Sequence, residues 1–132
     1  MDWKLEVVVV PVTDVDAARE FYAEKLGFRV DHDSRPAPER RIVQVTPPGS
    51  PCSMVFGTGM GDGPPGSLRG TRLVVTDLAA ARERLLAQGV EVSGVRHLSA
   101  GRWVDGPGGR WNSFVFFEDP DGNSWTVQER AA

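Results

Sequence analysis

VTDVDAARE (Val12 to Glu20) and VTDLAAARE (Val75 to Glu83) are one stretch written twice: with Asp14 set on Asp77, seven of nine positions are identical. Self-similarity over about half of a chain implies two copies of one supersecondary unit. In each copy an apolar run, Val7 to Val12 or Leu73 to Val75, meets Thr-Asp, after which the apolar period changes from strand-like to helix-like. Asp14 and Asp77 fit helix N-caps, each carboxylate accepting from an orphan amide of the first turn and contributing about 1 kcal/mol. Val15, Ala18, Tyr22 and Leu26 then recur at helical spacing, as do Leu78, Ala81 and Leu85, and Gly27 and Gly89 suit the left-handed residue that ends a helix.

Outward from the repeat, the spacing predicts a first strand over Trp3 to Thr13 with Pro11 near its end, a helix over Val15 to Leu26, and a strand over Phe28 to Asp33. Pro36 and Pro38 mark Ser34 to Glu39 as a loop, and strands follow at Arg41 to Thr46 and Cys52 to Gly57 around a Pro47 to Pro51 turn. Gly57 to Arg69 reads as a connection; a phosphate cradle there would need Lys-Ser/Thr opening a helix, and this stretch leads into a strand. The second copy predicts strand Thr71 to Thr76, helix Leu78 to Gln88, strand Val90 to His97, an irregular segment Leu98 to Asn112, strand Ser113 to Glu118, a turn at Asp119 to Gly122 and strand Asn123 to Glu129. The fold class is therefore α+β, one domain over residues 1–132 built from two βαβββ modules, about 1–57 and 70–132, with a Gly/Pro-rich linker at 58–69.

Bulk properties exclude several classes. The chain has 132 residues, 40% of them hydrophobic, enough for a buried core. A net charge of −3 with scattered basic residues lacks the electrostatic footprint of a nucleic-acid binder. There is no apolar signal core at the N-terminus and no run of the ~20 residues that would span a bilayer, so no membrane partner is expected. Cys52 is the sole cysteine, which rules out a disulfide framework and makes the cytoplasm the expected compartment.

The tandem modules, the string VTDVDAAREFYAEKLGF (Val12 to Phe28) with its second copy, and EDPDGNSWTVQE (Glu118 to Glu129) resemble the vicinal oxygen chelate superfamily, which groups glyoxalase I, bleomycin-resistance proteins and extradiol dioxygenases. The resemblance implies strands that curve around a cavity, helices on the outer face, and a site formed by two modules, either in one chain or across a homodimer. It also implies a place to look for a divalent metal, which needs lone pairs converging from several strands. In the family pattern a ligand sits seven residues before the capping aspartate, here Val7 and Gly70, and seven after the first aspartate of DPDG, here Thr126; matching the hairpins puts the fourth at Met54. These side chains cannot make that site, so neither metal nor cofactor is expected. DPDGN itself is first a turn: Pro120 fixes φ, Gly122 takes a positive φ, and Asp119 and Asp121 bond nearby amides rather than act in catalysis.

Strand parity sorts the candidate ligand-binding residues. With Thr126 on the cavity face by family analogy, Ser124 and Gln128 share it; Val7 takes Val9 with it, and Met54 takes Phe56. Trp103 and Trp111, with Phe114, Phe116, Arg102 and Arg110, supply a mixture suited to a flat or amphipathic small molecule. His97, Glu118 and Gln128 are the weaker candidates for acid–base catalysis; His32 and Glu129 read as strand-end groups, Cys52 as a small buried hydrophobe, and Tyr22 as a residue packing helix on sheet. Three functions follow: a metal-independent binder of a small aromatic or natural-product-like ligand, which the residues favour; a glyoxalase-like or dioxygenase-like enzyme; and a cofactor-free acid–base catalyst.

Overall fold

The computed structural model describes residues 1–131. The chain falls into two compact units, Met1–Leu68 with Asp119–Asn123, and Arg69–Glu118 with the residues from Ser124 on. Among the described residues, no helix is long and apolar enough to cross a membrane.

The first unit runs β1 (Val7–Val9), α1 (Val15–Arg19), a π-helical segment (Glu20–Lys25), β2 (Arg29–Ala37), β3 (Arg40–Thr46) and β4 (Ser53–Gly57). Its mixed sheet has the order β1-β4-β3-β2, with β1 parallel to β4 and the other pairs antiparallel. Asp14 caps α1 by accepting from Ala17 N at 3.1 Å, and Gly27 ends the helical stretch at φ 75°. Val10, Val43, Val45, Phe56 and Tyr22 are wholly buried; the Tyr22 ring lies 5.6 Å from Phe56 and stacks 6.4 Å from Phe28.

The second unit runs β5 (Thr71–Val75), α2 (Leu78–Ala87), β6 (Arg96–Ser99), β7 (Arg102–Asp105), β8 (Phe114–Glu118) and β9 (Ser124–Glu129). Its sheet has the order β5-β9-β8-β6-β7, again with the first pair parallel and the rest antiparallel. Asp77 caps α2 on Ala80 N at 3.0 Å, and Glu129 Oε2 accepts from Leu78 N, closing the same first turn. Leu78, Val115, Phe117, Trp125 and Val127 form the core between helix and sheet. Two mixed sheets with short helices make the class α+β, as the repeat predicts.

The turn between β8 and β9 clusters with the first unit. Asp119 Oδ1 accepts from the amides of Asp121 and Asn123, and Oδ2 accepts from the Tyr22 hydroxyl at 2.7 Å and from Asn123 Nδ2 at 2.8 Å. Asn123 Nδ2 also donates to the Pro11 carbonyl, and Asp121 receives both the hydroxyl and the amide of Thr13. Gly66, at φ 81°, packs so close to the Asp121 carbonyl that no Cβ fits between them, and Leu68 N donates to Asn123 Oδ1. The last part of the Gly/Pro-rich stretch is thus tied to this turn rather than left as a loose connection.

Several boundaries differ from the sequence expectation. β1 is confined to Val7–Val9, not Trp3 to Thr13, although Ser53 N still donates to the Glu6 carbonyl and Val10 N to that of Val55. The helix predicted to run to Leu26 widens after Arg19, where Leu26 N bonds the Phe21 carbonyl and Phe28 N that of Tyr22; this places consecutive Phe21 and Tyr22 both in the core. β2 continues through Pro36 to Ala37, because β2 is an edge strand and the ladder is irregular between Ser34 and Ala37, where a missing amide is tolerated. The strand expected at Val90 to His97 shrinks to a bridge between Val92 and Phe117 before β6 begins. Leu98 to Asn112 is not irregular throughout: β6 and β7 form a hairpin whose turn residues, Ala100 and Gly101, have φ 51° and 76°. That is the pattern of a tight hairpin turn with both central residues left-handed, and Ala-Gly is a weak signal for it.

An ion-pair cluster ties helix to sheet in the first unit. Arg41 donates to both Asp33 oxygens and to Asp16, and Arg19 Nε lies 2.9 Å from Asp33 Oδ2. The Arg41 hydrogen bond, partly offset by burial, holds the Asp33 carboxyl below its ordinary value of 3.8. A depressed folded-state value contributes stability above the unfolded value and loses it as pH falls through the folded one. Urea midpoints measured between pH 7 and pH 2.5 should therefore fall more steeply in the native chain than in Asp33→Asn below the ordinary value of 3.8; parallel profiles would remove Asp33 from the linkage. For the turn, Tyr22→Phe should cost about 1 to 2 kcal/mol and Asp119→Ala about 3 kcal/mol or more, since it orphans several buried donors. Urea unfolding followed by tryptophan fluorescence measures both, and a loss under about 0.5 kcal/mol for Asp119→Ala, the size of an ordinary surface change, would contradict the structural role.

Candidate functional site

The registers on either side of β4 fix what each face of the first sheet carries. Val7 pairs with Ser53 and Val9 with Val55, while Gln44 also pairs with Val55 and His32 with Gln44. Val7, Val9, His32, Gln44, Thr46, Ser53 and Val55 therefore share the face turned away from α1. Met54 and Phe56 do not: Met54 pairs with Val8 and Val45, Phe56 with Val43, and both are buried in the core. The expectation that they accompany Val7 and Val9 is corrected by one residue. Its physical reason is the hairpin loop, which spans residues 47–52 between β3 and β4 but 119–123 between β8 and β9, one residue fewer.

On this face lies a wide-mouthed cavity of about 600 Å3, lined by Arg29, Asp31, His32, Gln44, Thr46 and Ser53 among others. Its polar groups are largely spent on one another. Asp31 accepts from Thr46 Oγ1 and from Arg29 Nε at 2.9 Å, and the Thr46 and Ser53 hydroxyls are 2.7 Å apart. The Thr46 hydrogen bond, then that of Arg29, holds the Asp31 carboxyl below the ordinary carboxylate value, so this group is an anion fixed in a network rather than a base poised near neutrality.

The second sheet gives a different surface. Ser124, Thr126 and Gln128 of β9 share one face, with Trp125 and Val127 buried on the other. Cross-strand pairing adds Phe114 opposite Gln128, Phe116 opposite Thr126, and Arg72 of β5 opposite Thr126. Trp103, brought in by the β6–β7 hairpin, stands edge-on to both phenylalanines, with ring centroids 5.2 Å from Phe114 and 5.1 Å from Phe116. Trp103 is 48% exposed, whereas Phe114 is buried. Arg72 Cζ lies 5.5 Å from the Phe114 centroid and Arg96 Cζ 5.9 Å from that of Phe116. Trp111 is exposed on the loop after β7, in a left-handed backbone conformation (φ 58°) that is rare for a bulky residue; Gln128 Nε2 donates to its carbonyl at 2.7 Å. Gln128 is thereby a support for that loop as well as a polar group beside Phe114.

The three acid–base candidates are not brought together. His97 pairs with Val104, on the face opposite Arg96 and Phe114, and its Nδ1 meets the Gly106 carbonyl at 2.8 Å. Glu118 pairs with Ser124 and Gln128 with Phe114, so the two sit at opposite ends of the hairpin, about 13 Å apart at the rise of a strand. No nucleophile–base pair and no shared proton path joins them.

The metal positions fail on donor chemistry as well. Val7, Gly70 and Thr126 stand where the family pattern puts ligands, and the corrected hairpin register replaces Met54 by Val55 as the counterpart of Thr126. Among the described residues no group of three or more His, Cys, Asp or Glu side chains could hold a metal ion. The residues present do not fit the family's metal. Arg72 and Arg96 are the site residues that sequence reasoning passed over; the alternation of Arg72 with Leu73 and Val74 on β5 places it beside Thr126, whereas Arg96 becomes legible only with the hairpin.

Comparison with known proteins agrees with this architecture. The antibiotic-binding protein TnmS3 from Streptomyces sp. CB03234 is 34% identical, with 98% of each chain covered and a TM-score of 0.78. A glyoxalase/bleomycin resistance protein from the same Streptomyces is 35% identical over 96% of this chain and 100% of that one, with a TM-score of 0.74. YetH of Bacillus subtilis (strain 168) is 27% identical over 128 residues, 96% of this chain and 98% of the relative. The family model of the Glyoxalase/Bleomycin resistance protein/Dioxygenase superfamily matches residues 4–127, and the chain belongs to that superfamily.

Proposed function

We propose that this protein is a metal-independent binder that sequesters a small aromatic or natural-product-like molecule. The observation that carries the reading is the aromatic face of the second unit, where Trp103 stays nearly half exposed against Phe114 and Phe116. A large indole left open beside two further rings offers a flat ligand apolar contact with aromatic geometry already in place. Ser124, Thr126 and Gln128 line the same face and supply hydrogen-bonding points. The metal positions hold no donor set, which removes support for the chelate chemistry of family enzymes, and the separated acid–base candidates remove support for a cofactor-free catalyst. Similarity to an antibiotic-binding protein points the same way.

The same reading has the chain working as a cytoplasmic homodimer. Trp3 and Leu5, ahead of the edge strand β1, and Val7 and Val9 on it alternate along the N-terminal stretch and remain exposed, Trp3 at 88% and Leu5 at 72%. An apolar stripe on a strand edge is a surface that a second copy would cover. Sedimentation should give twice the chain mass for the native protein and a shift to monomer for Trp3→Asp with Leu5→Asp; a native monomer would contradict this part.

For binding, the probe is anthracene-2-carboxamide, flat and uncharged. Calorimetry should give a dissociation constant in the micromolar range, unchanged by EDTA, and Trp103→Ala should weaken it about tenfold, the loss expected for a central aromatic anchor. No binding, or binding that a chelator abolishes, would contradict the reading.

A further inference from the structure

Two cations sit on the aromatic face with no ion pair to a carboxylate among the described residues. Arg72 reaches past β9 to lie over Phe114, and Arg96, on the other side of β8, lies over Phe116. Neither forms an ion pair among the described residues: Asp105, opposite Arg96 in the β6–β7 ladder, and Glu118, at the far end of β8 on the same face, make none with them. Scarcity of acids does not explain this, because the chain carries 18 acidic residues against 15 basic ones. In the first unit, by contrast, Arg19, Arg29 and Arg41 each sit against an aspartate.

Each Cζ lies within cation–π range of its ring, 5.5 and 5.9 Å from the centroid, and a planar guanidinium carries its N–H donors along its edge. That edge is the part that takes a carboxylate with two parallel, charge-assisted hydrogen bonds. Two such forks flank one exposed indole, so an anion carried on a flat ring system would meet its charge partner and its apolar contact on one surface.

We propose that this face selects planar aromatic anions, polycycles bearing a carboxylate or an acidic phenol, with Arg72 and Arg96 as the specificity-determining residues. The inference rests on the aromatic-binder reading above and adds the charge of the ligand to it.

The test compares anthracene-2-carboxylate with the isosteric, uncharged anthracene-2-carboxamide by calorimetry on the full chain. The acid should bind about tenfold more tightly than the amide at low salt, with the gap narrowing as salt rises. Arg72→Gln and Arg96→Gln should each cut the acid-to-amide ratio several-fold, and the double variant should bring it near one, with the melting temperature kept. Arg72→Lys, which keeps the charge but loses the fork, should fall between native and Arg72→Gln. Equal affinities for acid and amide would overturn the charge selection while leaving the aromatic binder standing. Failure of both probes would overturn both. If the arginine variants change the sedimentation mass and leave the ratio alone, the face belongs to a second copy of the chain, and the proposal falls.

Discussion

The buried carboxylate of Asp119 is the interaction on which much of the first unit depends. It collects four donors: two backbone amides of its own turn, the amide side chain of Asn123, and the hydroxyl of Tyr22 from the π-helical segment. A carboxylate at 5% exposure is costly unless its oxygens are answered, and here each oxygen receives two bonds. The turn is fixed in shape by the first pair and fixed in place by the second. Asn123 and Asp121 extend the network to Pro11, Thr13 and Leu68, so residues between the last two strands hold the end of β1, the helix start and the Gly/Pro-rich stretch. DPDGN therefore matters here as a structural joint, and its aspartates are occupied by that work.

The first sheet's open face is polar and internally satisfied, its Asp31, Thr46 and Ser53 bonded in a chain. The second sheet's face is aromatic and cationic, and its Gln128 is bonded to the Trp111 carbonyl. A shared fold with two such unlike faces illustrates why membership of a superfamily known for metal chemistry does not assign metal chemistry to this chain. Function follows from the side chains that the strands present, and at the family's ligand positions those are valine, glycine and threonine.

Much of this was legible in the sequence because the signals were local. The doubled VTD and the glycines at 27 and 89 encode caps and stops that depend only on a few neighbouring backbone groups, and the period-two pattern of Ser124 to Gln128 encodes its two faces. What escaped depended on lengths and distant partners. One additional residue in the loop before β4 moved Met54 and Phe56 into the core and put Ser53 and Val55 on the open face. The β6–β7 hairpin turns on Ala100, a residue that seldom takes a positive φ, so Trp103 and Arg96 could not be placed on the sheet from the sequence. The hydroxyl of Tyr22 finds Asp119 across 97 positions, a pairing that no spacing rule reports.

The aromatic face is tested most directly by a crystal structure of the protein, purified without chelator and soaked with a flat polycyclic carboxylate. The ring is expected against Trp103, Phe114 and Phe116, with its carboxylate within hydrogen-bonding distance of Arg72 or Arg96 and no metal ion between ligand and protein. A ligand coordinated to a metal ion, or seated away from Trp103, would contradict the assignment of this protein as a metal-independent aromatic binder.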